Sequence, residues 1–341
     1  MGIDEIYKSM MENSENSELC FPHLHNASCW KPKQSESGSI LNYIVLSVIS
    51  LLTVFLNLLV IISISHFKQL HTSTNLLLLS LAVSDFFVGL LMCFHIMFAD
   101  GCWFLGDIVC LIYQYLAYII TSSSVGTMVL ISVDRYVAIC DPLLYSTKIT
   151  LRRVRICIVL SWLYSSAFQS INLSDNLKQP GMFNSCVGEC IVIINYIAGL
   201  ADLVLTFIVP ITVIVVLYMR VFVVAVSHAR AMRSRFAGVT SVKAKKSELK
   251  AARTLGVVVV VFLLCICPYY CVTLVGVDTL LSVSSSAIVI FMVYLNSCLN
   301  PMIYAFFYPW FRKSVKLIVT LKLLCATFNL VLVFPHKTIN K

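Results

Sequence analysis

The sequence predicts an all-α membrane protein: a seven-transmembrane helix bundle with a short amphipathic eighth helix. Three observations carry this. Of 341 residues, 59% are hydrophobic and only 12% are charged, roughly half the charge a soluble domain carries. Seven apolar stretches, at about 40–65, 75–98, 108–133, 154–173, 191–219, 252–275 and 284–307, reach the roughly 20 residues that cross about 30 Å of hydrocarbon as a helix. Short polar connectors separate them, without the ten-residue alternation of a β-barrel. Lipid offers exposed backbone no hydrogen-bond partner, so each span must be helical. The same composition excludes a disordered or collagen-like chain.

Three regions follow: an N-terminal tail over 1–38, the helical domain over 39–307, and an eighth helix with a C-terminal tail over 308–341. The tail is polar and acidic, with no basic start and no short apolar core before a cleavage site. The expectation is that no signal peptide is removed and the first span directs insertion. The fourth span is the weakest, because Ser161, Ser165, Ser166 and Gln169 interrupt it. Beyond Trp310, the segment to about Leu324 reads as a basic amphipathic helix lying on the inner leaflet.

Orientation comes from the basic residues. With the N-terminus outside, only Lys8, Lys31, Lys33 and Lys178 of the 25 Lys and Arg lie on the outer side, and nine lie between Arg220 and Arg253. The reverse topology would place the dense basic loops outside, against the positive-inside rule. Sorted this way, the net charge of +9 becomes −7 outside, +18 inside and −2 in the membrane. The basic inner face therefore calls for no nucleic acid. The acidic outer face either steers cations inward or is a solvated surface with an orientation bias.

Half of the 14 cysteines, Cys93, Cys140, Cys157, Cys265, Cys267, Cys271 and Cys298, read as small packing residues of the helices. Cys20, Cys29, Cys102, Cys110, Cys186 and Cys190 fall on the oxidising side, where six cysteines allow fifteen pairings. Asn26-Ala27-Ser28 is a glycosylation acceptor on the outer tail; Asn172-Leu173-Ser174 lies too near a membrane end for the same reading. Cys325, after the eighth helix, is a palmitoylation candidate or a free thiol.

Charge inside a span is costly, roughly 2.5–3.5 kcal/mol on insertion scales, and marks function by default. Asp85 lies mid-span, with Asn57, Ser124, Asn296, Ser297 and Asn300 at matching depth. Asp85, Ser124 and Asn300 suit a sodium ion held by oxygens, or else a hydrogen-bonded polar core. Asp202 stands in the outer half of the fifth span, two turns before Pro210, with Thr206 on its face. It cannot snorkel, and no Lys or Arg lies in the outer half of another span. A ligand ammonium is the economical partner; an aspartate hydrated near the interface is the alternative. Asp134-Arg135-Tyr136 closes the third span on the inner side. There Glu248 can pair with Arg135 as a lock, or with Lys245 or Arg253.

Taken in order, these motifs resemble the rhodopsin-like G-protein-coupled receptors from Asn57 to about Lys316. The matching elements are Asn57, Leu81-Ala82-Val83-Ser84-Asp85, Cys110, Asp134-Arg135-Tyr136, Trp162, Pro210 with Tyr218, Pro268, and Asn300-Pro301-Met302-Ile303-Tyr304. Within them the run from Asn296 to Phe311, His66-Phe67-Lys68-Gln69-Leu70-His71 and Ala251-Ala252-Arg253-Thr254-Leu255-Gly256 are similar to the trace amine-associated receptors. The resemblance implies disulfides Cys110–Cys190 and Cys20–Cys186. It implies a switch in which Arg135, Tyr218 and Tyr304 rearrange to admit a G protein, usually the stimulatory or olfactory type acting through cyclic AMP. It also implies residence in the plasma membrane of olfactory sensory cilia.

Two departures stand out. The aspartate usual seven residues after the third-span cysteine is Ala117 here, and the usual Trp of Cys265-Ile266-Cys267-Pro268 is Ile266. Some fish members similarly carry the acid in the fifth span, where Asp202 stands. The expected function is therefore an olfactory amine receptor, not an enzyme. Asp202 and Thr206 would hold the ammonium, with Tyr118, Thr121, Tyr269, Tyr270 and Tyr294 around it. Expected partners are a small amine or polyamine, a heterotrimeric G protein and membrane lipid, with no cofactor beyond the sodium ion. The alternatives are a receptor for a neutral lipid, steroid or peptide with Asp202 structural, and a transporter or channel, against which the lack of inverted repeats counts.

Overall fold

A computed structural model describes residues 18–24, 27–31, 36–98, 101–234, 256–271 and 283–319. Within these, seven apolar helices follow one another as the spans predict. They are α1 (Glu36–His66), α2 (Ser73–Met97), α3 (Gly106–Cys140) and α4 (Leu151–Asn172). α5 runs through three consecutive segments, Tyr196–Asp202, Leu203–Ile208 and Val209–Ser234. α6 (Gly256–Cys271) and α7 (Val283–Phe307) complete the set. Isolated β-bridges near the N-terminus are the sole β pairing among the described residues.

Local chemistry places the helix ends. Thr72 and Thr150 cap α2 and α4 by accepting from the Asn75 and Arg153 amides, which satisfies donors the first turn leaves free. Asn195 does the same for α5, accepting from Ala198 N at 2.8 Å, so that helix begins several residues later than its apolar run. α8 (Pro309–Val319) leaves α7 at an angle of 99°. Its Phe311 and Ser314 are buried while Arg312, Lys313 and Lys316 are exposed, as an amphipathic surface helix requires.

The burial pattern is that of a chain dissolved in lipid. Leu51, Phe55, Leu163 and Phe222 are exposed, whereas Asn57, Ser84, Asp85, Ser123 and Asn300 are buried. Lipid removes the hydrophobic drive between helices, leaving close packing and hydrogen bonds to join them. At Gly89 a Cβ would lie 2.8 Å from Val54 Cγ2, and Ser50 Oγ donates to the Gly89 carbonyl at 2.8 Å. Only glycine lets α1 and α2 approach this closely. Asn57 Nδ2 donates to the Ser297 carbonyl at 3.0 Å, joining α1 to α7. Trp162 Nε1 of α4 donates to Ser80 Oγ of α2 at 3.3 Å. α3 is the central element, packed against α2, α4 and α5.

The disulfides correct one expectation. Cys110–Cys190 forms, but Cys20 pairs with Cys102, and Cys186 pairs with Cys29. The physical reason is a small hairpin in the N-terminal segment. Leu19 bridges Trp30, and Cys20 N donates to the Cys29 carbonyl at 2.9 Å. Ser28 bridges Val187, and Cys29 N donates to the Val187 carbonyl at 2.9 Å. This register lays Cys29 beside Cys186 and turns Cys20 toward Cys102. Gly188, at φ +106°, lies so close to Cys20 that a Cβ would meet the Cys20 Cβ at 3.1 Å. The hairpin is thereby fastened over one end of the bundle.

Candidate functional site

Beneath this cap, the helices enclose a cavity of about 320 Å³. All seven residues expected at the ligand border it: Tyr118, Thr121, Asp202, Thr206, Tyr269, Tyr270 and Tyr294. Both departures from the family pattern, Ala117 and Ile266, are there too. Tyr270 stacks on Phe207 with ring centroids 4.0 Å apart, and Tyr269 meets Tyr270 edge-on at 5.3 Å. These contacts fix the aromatic wall in place.

Asp202 is half-buried at the junction where α5 passes from α-helix into a π-helical segment, Leu203–Ile208. A π segment shifts the register of the side chains beyond it and recurs at functional sites. The sequence offers Asp202 no cationic partner, and the structure adds neutral ones. Gln169 Nε2 donates to Asp202 Oδ1 at 2.8 Å, and Asn172 Nδ2 reaches the same oxygen at 3.5 Å. The Thr206 hydroxyl donates to the Asp202 main-chain carbonyl at 2.7 Å and lies beside the carboxylate. Both amide partners are neutral, so they orient the carboxylate without cancelling its charge.

Gln169 and Asn172 were not anticipated as site residues. A signal was available, since Ser165, Gln169 and Asn172 are spaced by four and three and so share one helix face. Their positions in α4 are all buried. What weakens the fourth span in a hydropathy reading is thus the stripe it turns inward. The buried, bonded Asn172 is also no accessible glycosylation acceptor.

Deeper in the bundle, Asn300 Nδ2 donates to Asp85 Oδ2 at 2.8 Å. Asp85 Oδ1, Asn300 Oδ1, Asn296 Oδ1 and Ser123 Oγ have no partner among the described residues. The Asp85–Asn300 pair thus presents unpartnered oxygens of the kind a hard cation or ordered water fills. Ser124, expected beside Asp85, is buried but makes no hydrogen bond to it among the described residues.

At the other end of α3, Arg135 Nε donates to Asp134 Oδ2 at 2.9 Å, and Arg135 Nη2 pairs with the same carboxylate. Arg135 Nη2 also donates to Thr74 Oγ1 at 2.6 Å, and Tyr145 donates to Asp134 Oδ1 at 2.9 Å. Thr74 and Tyr145 are further partners that the sequence did not single out. Tyr136 packs instead against Ile139 and Val221. The hydroxyls of Tyr218, Tyr304 and Tyr308 have no hydrogen-bond partner among the described residues. Glu248 lies outside the described residues, as do Asn26 and Cys325.

Comparison with known proteins matches residues 56–304 to the family model "7 transmembrane receptor (rhodopsin family)". The chain is 37% identical over 322 residues to trace amine-associated receptor 13c of Danio rerio, covering 90% of this chain and 93% of that one. It is 38% identical to receptor 8a of Rattus norvegicus, covering 89% and 92%. With receptor 1 of Mus musculus it shares 38% identity, covering 81% and 87%. This chain belongs to the trace amine-associated receptors. As a family member it is a multi-pass plasma-membrane receptor, not an enzyme, and its partners are a small-molecule ligand and a heterotrimeric G protein.

Proposed function

We propose that this receptor detects a small amine, whose ammonium pairs with Asp202, and couples to a stimulatory or olfactory G protein that raises cyclic AMP. One observation carries the ligand reading: Asp202 borders a tyrosine-lined cavity, and its hydrogen-bond donors there, Gln169 and Asn172, are neutral. A carboxylate so placed lacks a countercharge, which a ligand cation supplies through a charge-assisted hydrogen bond. The tyrosine faces add cation–π attraction of about 0.5–2 kcal/mol. Ala117 removes the other acid position, so the anchor stands on α5. Similarity to proteins named trace amine-associated receptors supports the same chemistry.

The proposed setting is an olfactory cilium, with the N-terminus and cap outside and the basic end facing the cytoplasm. Arg135, held by Asp134, would be released there toward Tyr218 and Tyr304 when agonist is bound. Sodium at Asp85 and Asn300 would favour the resting arrangement. Modification of Asn26 by glycan and of Cys325 by palmitate belongs to the same reading.

The test of the anchor is a panel of amines with a cyclic AMP readout on wild type and Asp202→Asn. The expected result is a potency loss of about 100-fold or more, consistent with breaking a buried pair, at unchanged surface level. An undiminished response of Asp202→Asn would overturn the assignment and return the cavity to a neutral ligand.

A further inference from the structure

The cavity has a second polar end. At the first, α4 and α5 bring Asp202, Gln169 and Asn172 together. At the second, α2 packs against α7, and the His95 ring of α2 lies 5.2 Å from that of Tyr294 on α7. The Tyr294 hydroxyl lies close to that of Tyr113, at the capped end of α3. His95, Tyr113 and Tyr294 all border the cavity, with Gln114 beside them. Neither nitrogen of His95 has a hydrogen-bond partner among the described residues. The half-buried imidazole opens onto the space where a ligand would lie, and a ligand that displaces its remaining water must replace those hydrogen bonds.

The two ends differ in charge. Among the described residues bordering the cavity Asp202 is the one acid, and the far end offers an imidazole, two phenols and an amide. A second ammonium placed there would be desolvated with no countercharge among the described lining residues, and any protonation of His95 would repel it. A bare alkyl end would leave the imidazole and phenols unpaired, the situation in which a polar site rejects an analogue lacking its hydroxyl. A neutral hydroxyl both donates and accepts, as does a neutral imidazole with one N–H and one bare nitrogen.

We infer that His95, with Tyr113 and Tyr294, selects the far end of the ligand, and that the preferred ligand is a monoamine bearing a neutral hydrogen-bonding group remote from its ammonium. This deepens the amine reading and rests on Asp202 as the anchor. It makes hydroxyl-bearing amines the preferred class over alkylamines and diamines of equal length.

The test uses purified full-length receptor and ligand-induced thermal stabilisation, which needs no knowledge of the G protein. Matched trios such as hexylamine, aminopentanol and diaminopentane are titrated across a range of chain lengths on wild type, His95→Phe, His95→Gln and Asp202→Asn. In wild type the amino alcohol binds about tenfold or more tightly than both partners at the best length. His95→Phe removes that advantage, and His95→Gln, which keeps a donor and an acceptor, retains it. The unliganded melting temperature of each variant reports folding, and the comparison within each trio on wild type carries the test if His95→Phe is unstable. If the diamine or alkylamine equals the amino alcohol, or His95→Phe keeps the preference, the inference is overturned. In those cases Asp202→Asn still weakens every amine and the anchor stands. If Asp202→Asn weakens none, or no amine binds wild type, the anchor itself fails and this inference falls with it.

Discussion

Gln169 sits in a lipid-spanning helix, where a side-chain amide must find partners or weaken insertion. It finds one in Asp202, at 2.8 Å, and so holds one oxygen of the carboxylate in a defined direction. A hydrogen bond to a charged group contributes roughly 1.5–3 kcal/mol. Gln169→Leu is therefore expected to raise the half-maximal amine concentration about tenfold, with maximal response and surface level preserved. An unchanged dose–response curve would show that Asp202 needs no orientation from α4. At this scale the sequence revealed the acid but not its donors. A span is visible as an apolar run, yet which face of it turns inward depends on neighbours far away in the chain. His95 is illegible for the same reason, because what its ring meets is set by Tyr294 across the α2–α7 contact.

Among the elements, the helices were legible almost throughout, since each satisfies its own backbone and needs only an apolar run to exist in lipid. α5 departs in one respect. Its π segment begins immediately after Asp202, and hydropathy carries no trace of it. The N-terminal hairpin was less legible still. Its two short bridges depend on the loop around Val187, and they decide which sulfurs meet. The pairing makes a direct prediction. Cys20→Ser and Cys102→Ser should each lower the melting temperature, and the double variant should lower it no further than either alone. Loss of one such bond typically costs about 2–4 kcal/mol. Cys20→Ser combined with Cys186→Ser should be additive, because those cysteines belong to different bonds. Additivity in the first pair, or its absence in the second, would contradict the observed connectivity.

Across the whole molecule, polar clusters recur inside the bundle, at Asp202, at Asp85 and at Arg135. Midway stands Asp85, bonded to Asn300 with its other oxygen unpartnered. A cation bound there and an agonist bound above would compete by favouring different helix arrangements, and such coupling is reciprocal. Raising sodium at constant ionic strength is expected to weaken agonist binding several-fold, about 1–3 kcal/mol of coupling. Asp85→Asn should abolish the effect. Agonist affinity that ignores sodium in wild type would remove the ion from the proposal and leave Asp85 as a polar packing residue.

The sequence by itself determined that this protein lives in a membrane, how many times it crosses and which acid stands where no surface claims it. Those properties follow from composition and from periods of a single helix, which are local. Only the tertiary structure decided which cysteines pair, which amides hold Asp202, and that His95 faces the same cavity from the opposite side. Each of these is a meeting of residues distant in the chain. Their distances depend on how the helices tilt and pack, and a linear pattern of apolar and polar residues does not encode that geometry position by position.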